Sequence, residues 1–180
     1  KYGERYVPEP KDFESLVMKT RVMAGQAIKS AVEAHRRNMP YCMGSLYWQL
    51  NDCWHVVSWS SLDYDGNWKA LHYAAKDFFS PILISVTEKE ENILFFIVYD
   101  DDKLGQAELV LDLVSFEGDI ITSKRTKFHF PSNSSSMVYK VKRASLLASV
   151  ARARLSFAAQ SWSIIKRYAQ AIIFLFGRRI

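Results

Sequence analysis

Apolar and small residues recur at Phe13, Leu16, Val17, Thr20, Ala24, Ala27, Ile28, Ala31 and His35, with Arg21, Lys29, Glu33 and Arg36 mostly off that stripe. Spacing by threes and fours predicts an amphipathic helix over about 13–37. Asp12 suits its N-cap, because a carboxylate accepts from the free amides of a first turn, and Asn38 and Pro40 end it. The polar stretch before Asp12, with Pro8 and Pro10, reads as a loop. A dense apolar run follows, Tyr41–Leu50, bounded by Pro40 and Asn51-Asp52. Such a run directly after a helix predicts a strand buried on both faces, as in a parallel sheet or barrel. Helical spacing returns at Leu71, Ala74, Ala75 and Phe78, which predicts a second helix over 68–79 ended by Pro81.

From Ile82 onward the pattern changes period. Ile82–Val86, Ile93–Tyr99, Gln106–Phe116, Asp119–Phe130 and Met137–Val141 are strand-like runs separated by turn material. Short strands at this spacing predict an antiparallel sandwich. The chain therefore divides into residues 1–81 (α/β), residues 82–150 (all-β) and a remainder, 151–180.

Composition changes the picture in two places. Of the 180 residues 49% are hydrophobic and 24% charged, which is a globular balance rather than a disordered one. The net charge is +5, yet residues 151–180 hold Arg152, Arg154, Lys166, Arg167, Arg178 and Arg179 and no acidic residue. The other 150 residues thus sum to −1, so the charge does not support a basic nucleic-acid surface spread over the whole protein. No apolar run approaches the ~18 residues of a membrane span. The opening residues form no signal-peptide core, and no compartment follows from the sequence. The chain starts at Lys1 rather than Met, which fits a processed product or a fragment.

Candidate chemistry is narrow. Two cysteines exclude a disulfide framework. Cys42 and Cys53, with His35, His55 and His72 nearby, lack the tight paired spacing of a zinc site and read as free thiols; no metal and no cofactor is assigned. Nucleophile-elbow, P-loop and dinucleotide motifs are absent from the sequence. The informative stretch is Trp48–Trp68, which sets Trp48, Trp54, Trp59, Tyr64 and Trp68 among Asn, Asp and Ser. Flat rings beside amides and carboxylates suit a sugar, whose axial C–H face packs on indole while its hydroxyls find polar partners. The same rings can equally fill the end of a barrel or a domain seam.

Met43-Gly44-Ser45-Leu46-Tyr47-Trp48-Gln49-Leu50-Asn51-Asp52-Cys53-Trp54, then Val57-Ser58-Trp59-Ser60-Ser61-Leu62-Asp63-Tyr64 and Trp68-Lys69-Ala70-Leu71-His72-Tyr73, closely resemble the β-mannosidases of glycoside hydrolase family 2. The likeness is dense over about 10–85 and thinner through 86–148; His55 departs from it, where a Pro is expected. The resemblance implies a (β/α)₈ TIM barrel flanked by β-sandwiches, and removal of terminal, non-reducing β-linked mannose with retention. Retention needs two carboxyls about 5–5.5 Å apart. In relatives these are glutamates in an Asn-Glu pair and a Ser-Glu run, and this sequence contains neither dipeptide. The chain accordingly looks like the last barrel unit, with 11–37 the seventh helix, 41–50 the eighth strand and 68–79 the eighth helix, followed by the start of an incomplete Ig-like β-sandwich. No catalytic residue is assigned. Trp48 is the candidate platform under the terminal sugar, and Asn51, Asp52 and Trp54 are candidate rim or hydroxyl contacts. The implied partners are a β-mannoside glycan and the missing N-terminal portion of the barrel.

Two other classes stand beside this one. The first is a non-catalytic carbohydrate-binding module with Trp54, Trp59 and Trp68 as its platform. The second is a membrane- or nucleic-acid-binding protein driven by the basic tail. The tail also admits a different origin, as an out-of-frame translation. Joining the third base of each codon to the next two over Gln170–Arg179 permits Ser-Asn-Tyr-Phe-Phe-Val-Arg-Pro-Lys, a family-like strand. On that reading the sandwich lacks its final strand, and residues 155–176 default to a helix; an evolved basic amphipathic helix is the alternative.

Overall fold

A computed structural model describes residues 8–102, 105–115, 118–149 and 172–178. The chain forms two compact units, residues 1–83 and 84–180. It is a mixed α/β piece with antiparallel sheets.

In the first unit α1 spans Phe13–Arg37 and α2 spans Ala70–Phe78. Asp12 caps α1 as its position predicts: its carboxylate accepts from Ser15 N at 2.7 Å, and Ser15 Oγ accepts from Asp12 N at 3.1 Å. This reciprocal arrangement satisfies two otherwise free donors. The buried face of α1 differs from the expected stripe. It runs through Gly25, Val32, Glu33 and Arg36, with Ile28 beside it, while Phe13 stays 75% exposed and Leu16 is exposed too. The reason is the partner. α2 is short and meets only the C-terminal half of α1, where Val32 packs with Leu71, Ala75 and Phe78. Gly25 faces the start of α2, where a β-carbon would lie 3.4 Å from the backbone of Ala70 and Leu71, at ordinary contact distance. Arg36 then closes the far end by donating to the carbonyls of Phe78 and Ser80, which α2 itself leaves without donors.

Residues 41–50 are not the doubly buried strand that their composition predicts. The segment has no regular secondary structure, joins no sheet, and exposes Tyr41, Met43, Leu46 and Trp48. An interior parallel strand exists only through neighbours on both edges, and the described residues supply none. Pairing is limited to a parallel bridge between Asn51 and Leu62 and an antiparallel one between Leu62 and Trp68.

Among the described residues the second unit holds a helical stretch over 143–149 and six strands: β1 (Ile82–Lys89), β2 (Asn92–Tyr99), β3 (Gly105–Val114), β4 (Ile120–Phe130), β5 (Ser134–Lys142) and β6 (Ile172–Arg178). They form two three-stranded sheets, ordered β1-β2-β5 and β4-β3-β6. β2 pairs antiparallel with β5 from Asn92↔Lys142 to Tyr99↔Ser134, with a register shift at Phe95/Phe96. β3 pairs antiparallel with β4 from Gly105↔Phe130. Alternation sends Leu109 and Leu113 of β3 and Phe95 and Ile97 of β2 into buried positions. Tyr99 meets Phe130 edge-on at 4.6 Å and Lys124 lies over the Tyr139 ring at 4.5 Å, so the two sheets touch through side chains.

The tail corrects one expectation. Ile172–Arg178 is a strand, not a helix, and it pairs antiparallel with β3 from Val114↔Ile172 to Glu108↔Arg178. Its β-branched and aromatic run, Ile172-Ile173-Phe174-Leu175-Phe176, suits a pleated surface. The expected helix over 155–171, the Phe116 end of the third predicted strand and the loop over 1–7 lie outside the described residues.

Candidate functional site

The segment 48–69 folds back on itself between the helices. Its inner layer is built from serine hydroxyls and one ion pair. Lys69 Nζ donates to Asp52 Oδ2 and to Ser60 Oγ, both at 2.6 Å. Ser58 Oγ donates to the other Asp52 oxygen through a very short hydrogen bond, and Ser60 Oγ donates onward to Leu62 O at 2.7 Å. Asp52 is 3% exposed and Lys69 8%. Two charges removed from water are tolerable only when paired and hydrogen-bonded, and here both conditions hold. The Lys69 ammonium and the Ser58 hydroxyl hold the Asp52 carboxyl down at about 2. Asp52 is thus ionised, inward-facing and engaged at both oxygens.

The backbone around this pair is tied at several points. Ser61 N donates to Gln49 O and Leu50 O, Leu62 N to Leu50 O, and Lys69 N to Ser61 O, all within 2.8–3.1 Å. Fully buried Ser61 is also the acceptor for Tyr47 Oη at 3.0 Å and lies 3.1 Å from His72 Nδ1. Gln49 Nε2 donates to Asn51 O at 2.6 Å. At the loop tip, His55 Nε2 sits 3.0 Å from Asp65 Oδ2 and its ring stacks obliquely on Tyr64.

The four sequence-predicted residues separate into two layers. Trp48 is 79% exposed, Trp54 is 66% exposed, and Asn51 is on the surface, so all three are open to solvent. Asp52 is beneath them. Trp68 contacts the rings of His72 and Tyr73, which is packing on α2. The sequence reading missed Lys69, Ser58, Ser60 and Ser61. The available signal was a lysine at the predicted start of a helix, within reach of the Ser-rich Val57–Leu62 stretch. Among the described residues no cluster of three or more His, Cys, Asp or Glu could hold a metal ion, and no helix is long and apolar enough to cross a membrane.

Comparison with known proteins shows what the chain is similar to. No family model matches the chain. The goat (Capra hircus) β-mannosidase is 42% identical over 96 residues, covering 49% of this chain and 11% of that protein. Emericella nidulans β-mannosidase A is 40% identical over 91 residues, covering 46% and 10%. The crystal structure of β-D-mannosidase from Dictyoglomus thermophilum superposes with a TM-score of 0.73 at 28% identity, over 79% of this chain and 18% of that one. The matched stretch is similar to β-mannosidases from mammals, a fungus and a bacterium. The chain spans about a tenth of the length of these curated β-mannosidases. The structural match to the Dictyoglomus β-mannosidase covers more of the chain than the curated sequence matches do.

Proposed function

We propose that this chain is a segment of a retaining exo-β-mannosidase that hydrolyses terminal, non-reducing β-D-mannose residues of oligosaccharides. On this reading α1, the 38–69 segment and α2 are the last β/α unit of a TIM barrel, and residues 82–150 belong to an Ig-like sandwich, to which β6 adds a strand. Residues 41–50 become the eighth barrel strand once the preceding portion of the barrel supplies its neighbours. The likeness to the Dictyoglomus enzyme supports both assignments.

The observation that carries the functional reading is Trp48. A large indole stands open to solvent at the end of an apolar run, while the polar layer behind it is closed by an ion pair. In a barrel, the C-terminal end of a strand is where substrate binds. An exposed indole there offers a flat apolar face to a pyranose ring, and the Asn51 amide lies three residues on for a hydroxyl. Trp54 forms the outer rim. Asp52 serves as a support rather than a proton donor, since a carboxyl held near 2 stays ionised at neutral pH and cannot give up a proton.

The segment contributes a sugar-binding rim without the two carboxyls of the retaining mechanism. The test is hydrolysis of an aryl β-mannoside. The full-length enzyme should turn it over, and the purified 180-residue chain should leave it untouched. Turnover by the chain that survives repurification would overturn the assignment of catalysis to residues outside it.

A further inference from the structure

We propose that Lys69 is a positioning residue for the sugar platform: its buried ammonium, acting through Asp52 and the Ser58–Leu62 turn, fixes the backbone that carries Trp48 and Asn51. The proposal rests on the reading of Trp48 as that platform.

Trp48 is too exposed to be held by its own packing, so its position is set by the chain on either side. On the C-terminal side that chain is fixed from one direction. The carbonyls of Gln49 and Leu50 accept from Ser61 N, and Leu50 O also accepts from Leu62 N at 2.8 Å and from Ser61 Oγ at 2.8 Å. Residues 60–62 are fixed in turn by Lys69, whose main-chain amide donates to Ser61 O at 2.9 Å and whose ammonium donates to Ser60 Oγ at 2.6 Å. Asn51 is reached by the second branch. Asp52 takes the same ammonium at 2.6 Å and donates its own amide to Leu62 O at 3.2 Å. One cation therefore pins both sides of the Asn51–Leu62 bridge.

A buried ion pair is a poor device for stability alone, because well-packed apolar side chains of similar volume serve a fold as well or better. What the pair adds is direction. An ammonium with acceptors on two segments fixes their relative position, which an apolar contact leaves free to slide. Lys69 is itself the N-cap position of α2, so the clamp refers the sugar rim to the rigid helical part of this unit.

The test is steady-state kinetics on an aryl β-mannoside in the full-length enzyme. Lys69→Met keeps the stem and removes the ammonium; it should raise KM about tenfold, and Ser60→Ala, which removes one acceptor, should raise it about threefold. A purely structural role lowers the amount of folded enzyme and leaves KM where it was. Should Lys69→Met fail to fold, the Asp52→Asn/Lys69→Met double variant removes both charges and leaves no unpaired ion, and the same rise in KM is expected. Unchanged KM in the folded variants overturns the proposal. Trp48→Ala in the same enzyme separates the two claims. If it moves kcat/KM and the Lys69 and Ser60 variants do not move KM, only the positioning role falls. If it moves nothing, the platform reading falls and takes this inference with it.

Discussion

Asp52 shows how an acidic residue beside a run of tryptophans acquires a role that its neighbours in sequence do not announce. Its type and place nominate it for a sugar hydroxyl. Its surroundings turn its carboxylate inward onto Lys69 and Ser58, while its main-chain amide donates to the Leu62 carbonyl. The consequence is a pH dependence of defined sign. The carboxyl is held at about 2 against an ordinary value of 3.8, so between those values the unfolded chain binds the proton more readily than the folded one. The contribution of Asp52 is complete above pH 3.8 and is lost as pH falls toward 2. Acid titration followed by tryptophan fluorescence should show unfolding with a component in that window, and Asp52→Asn should remove that component. An identical profile in the variant would contradict the pairing. A second residue-scale constraint sits in the sheets. A β-carbon on Gly105 would fall 1.7 Å from the ring of Phe130, its cross-strand partner, which is buried. Gly105→Ala should therefore destabilise the sheet unit by about 1–3 kcal/mol through overpacking, seen as a lower melting temperature; an unchanged one would mean the ring has room to turn.

At the scale of elements, the helical stretch 143–149 goes unforeseen, but α1, α2 and β1 to β5 are legible in the sequence to within a few residues. The cause is local. Asp12, Asn38, Pro40 and Pro81 punctuate the helices, and period-two alternation with turn residues marks β1 to β5. Expectation and structure part where an element depends on something distant. The stripe of α1 predicts a face along the whole helix, but burial follows α2, which reaches only the C-terminal half. Tyr41–Leu50 has the composition of an interior strand and no partner strand among the described residues, so it forms no strand and stands largely exposed. The candidate site divides in the same way. Exposed Trp48, Asn51 and Trp54 are recognisable by type, whereas the Lys69 clamp beneath them is assembled across the loop and has no short-range signature. β6 is the reverse case, in which an apolar β-branched run pairs with β3 although the charge pattern around it sets the tail apart. The out-of-frame origin of residues 151–180 remains a proposal with a direct check in the coding DNA. A single insertion or deletion near codon 150 should restore an acidic, strand-patterned ending, and the idea is wrong if none does.

For the whole molecule the governing fact is that about half of the chain matches about a tenth of the goat β-mannosidase. The exposed apolar run at 41–50 and the exposed apolar residues Phe13 and Leu16 of α1 are consistent with the proposed reading of the chain as a segment of a larger barrel. The account stands or falls on whether the open indole of Trp48 meets the sugar. Trp48→Ala in the full-length enzyme, assayed on an aryl β-mannoside, is the most direct measurement. The account predicts a fall in kcat/KM on the order of a hundredfold, equivalent to a few kcal/mol of lost stacking and positioning. An unchanged kcat/KM in the correctly folded variant would contradict it and leave Trp48 as packing between barrel strands.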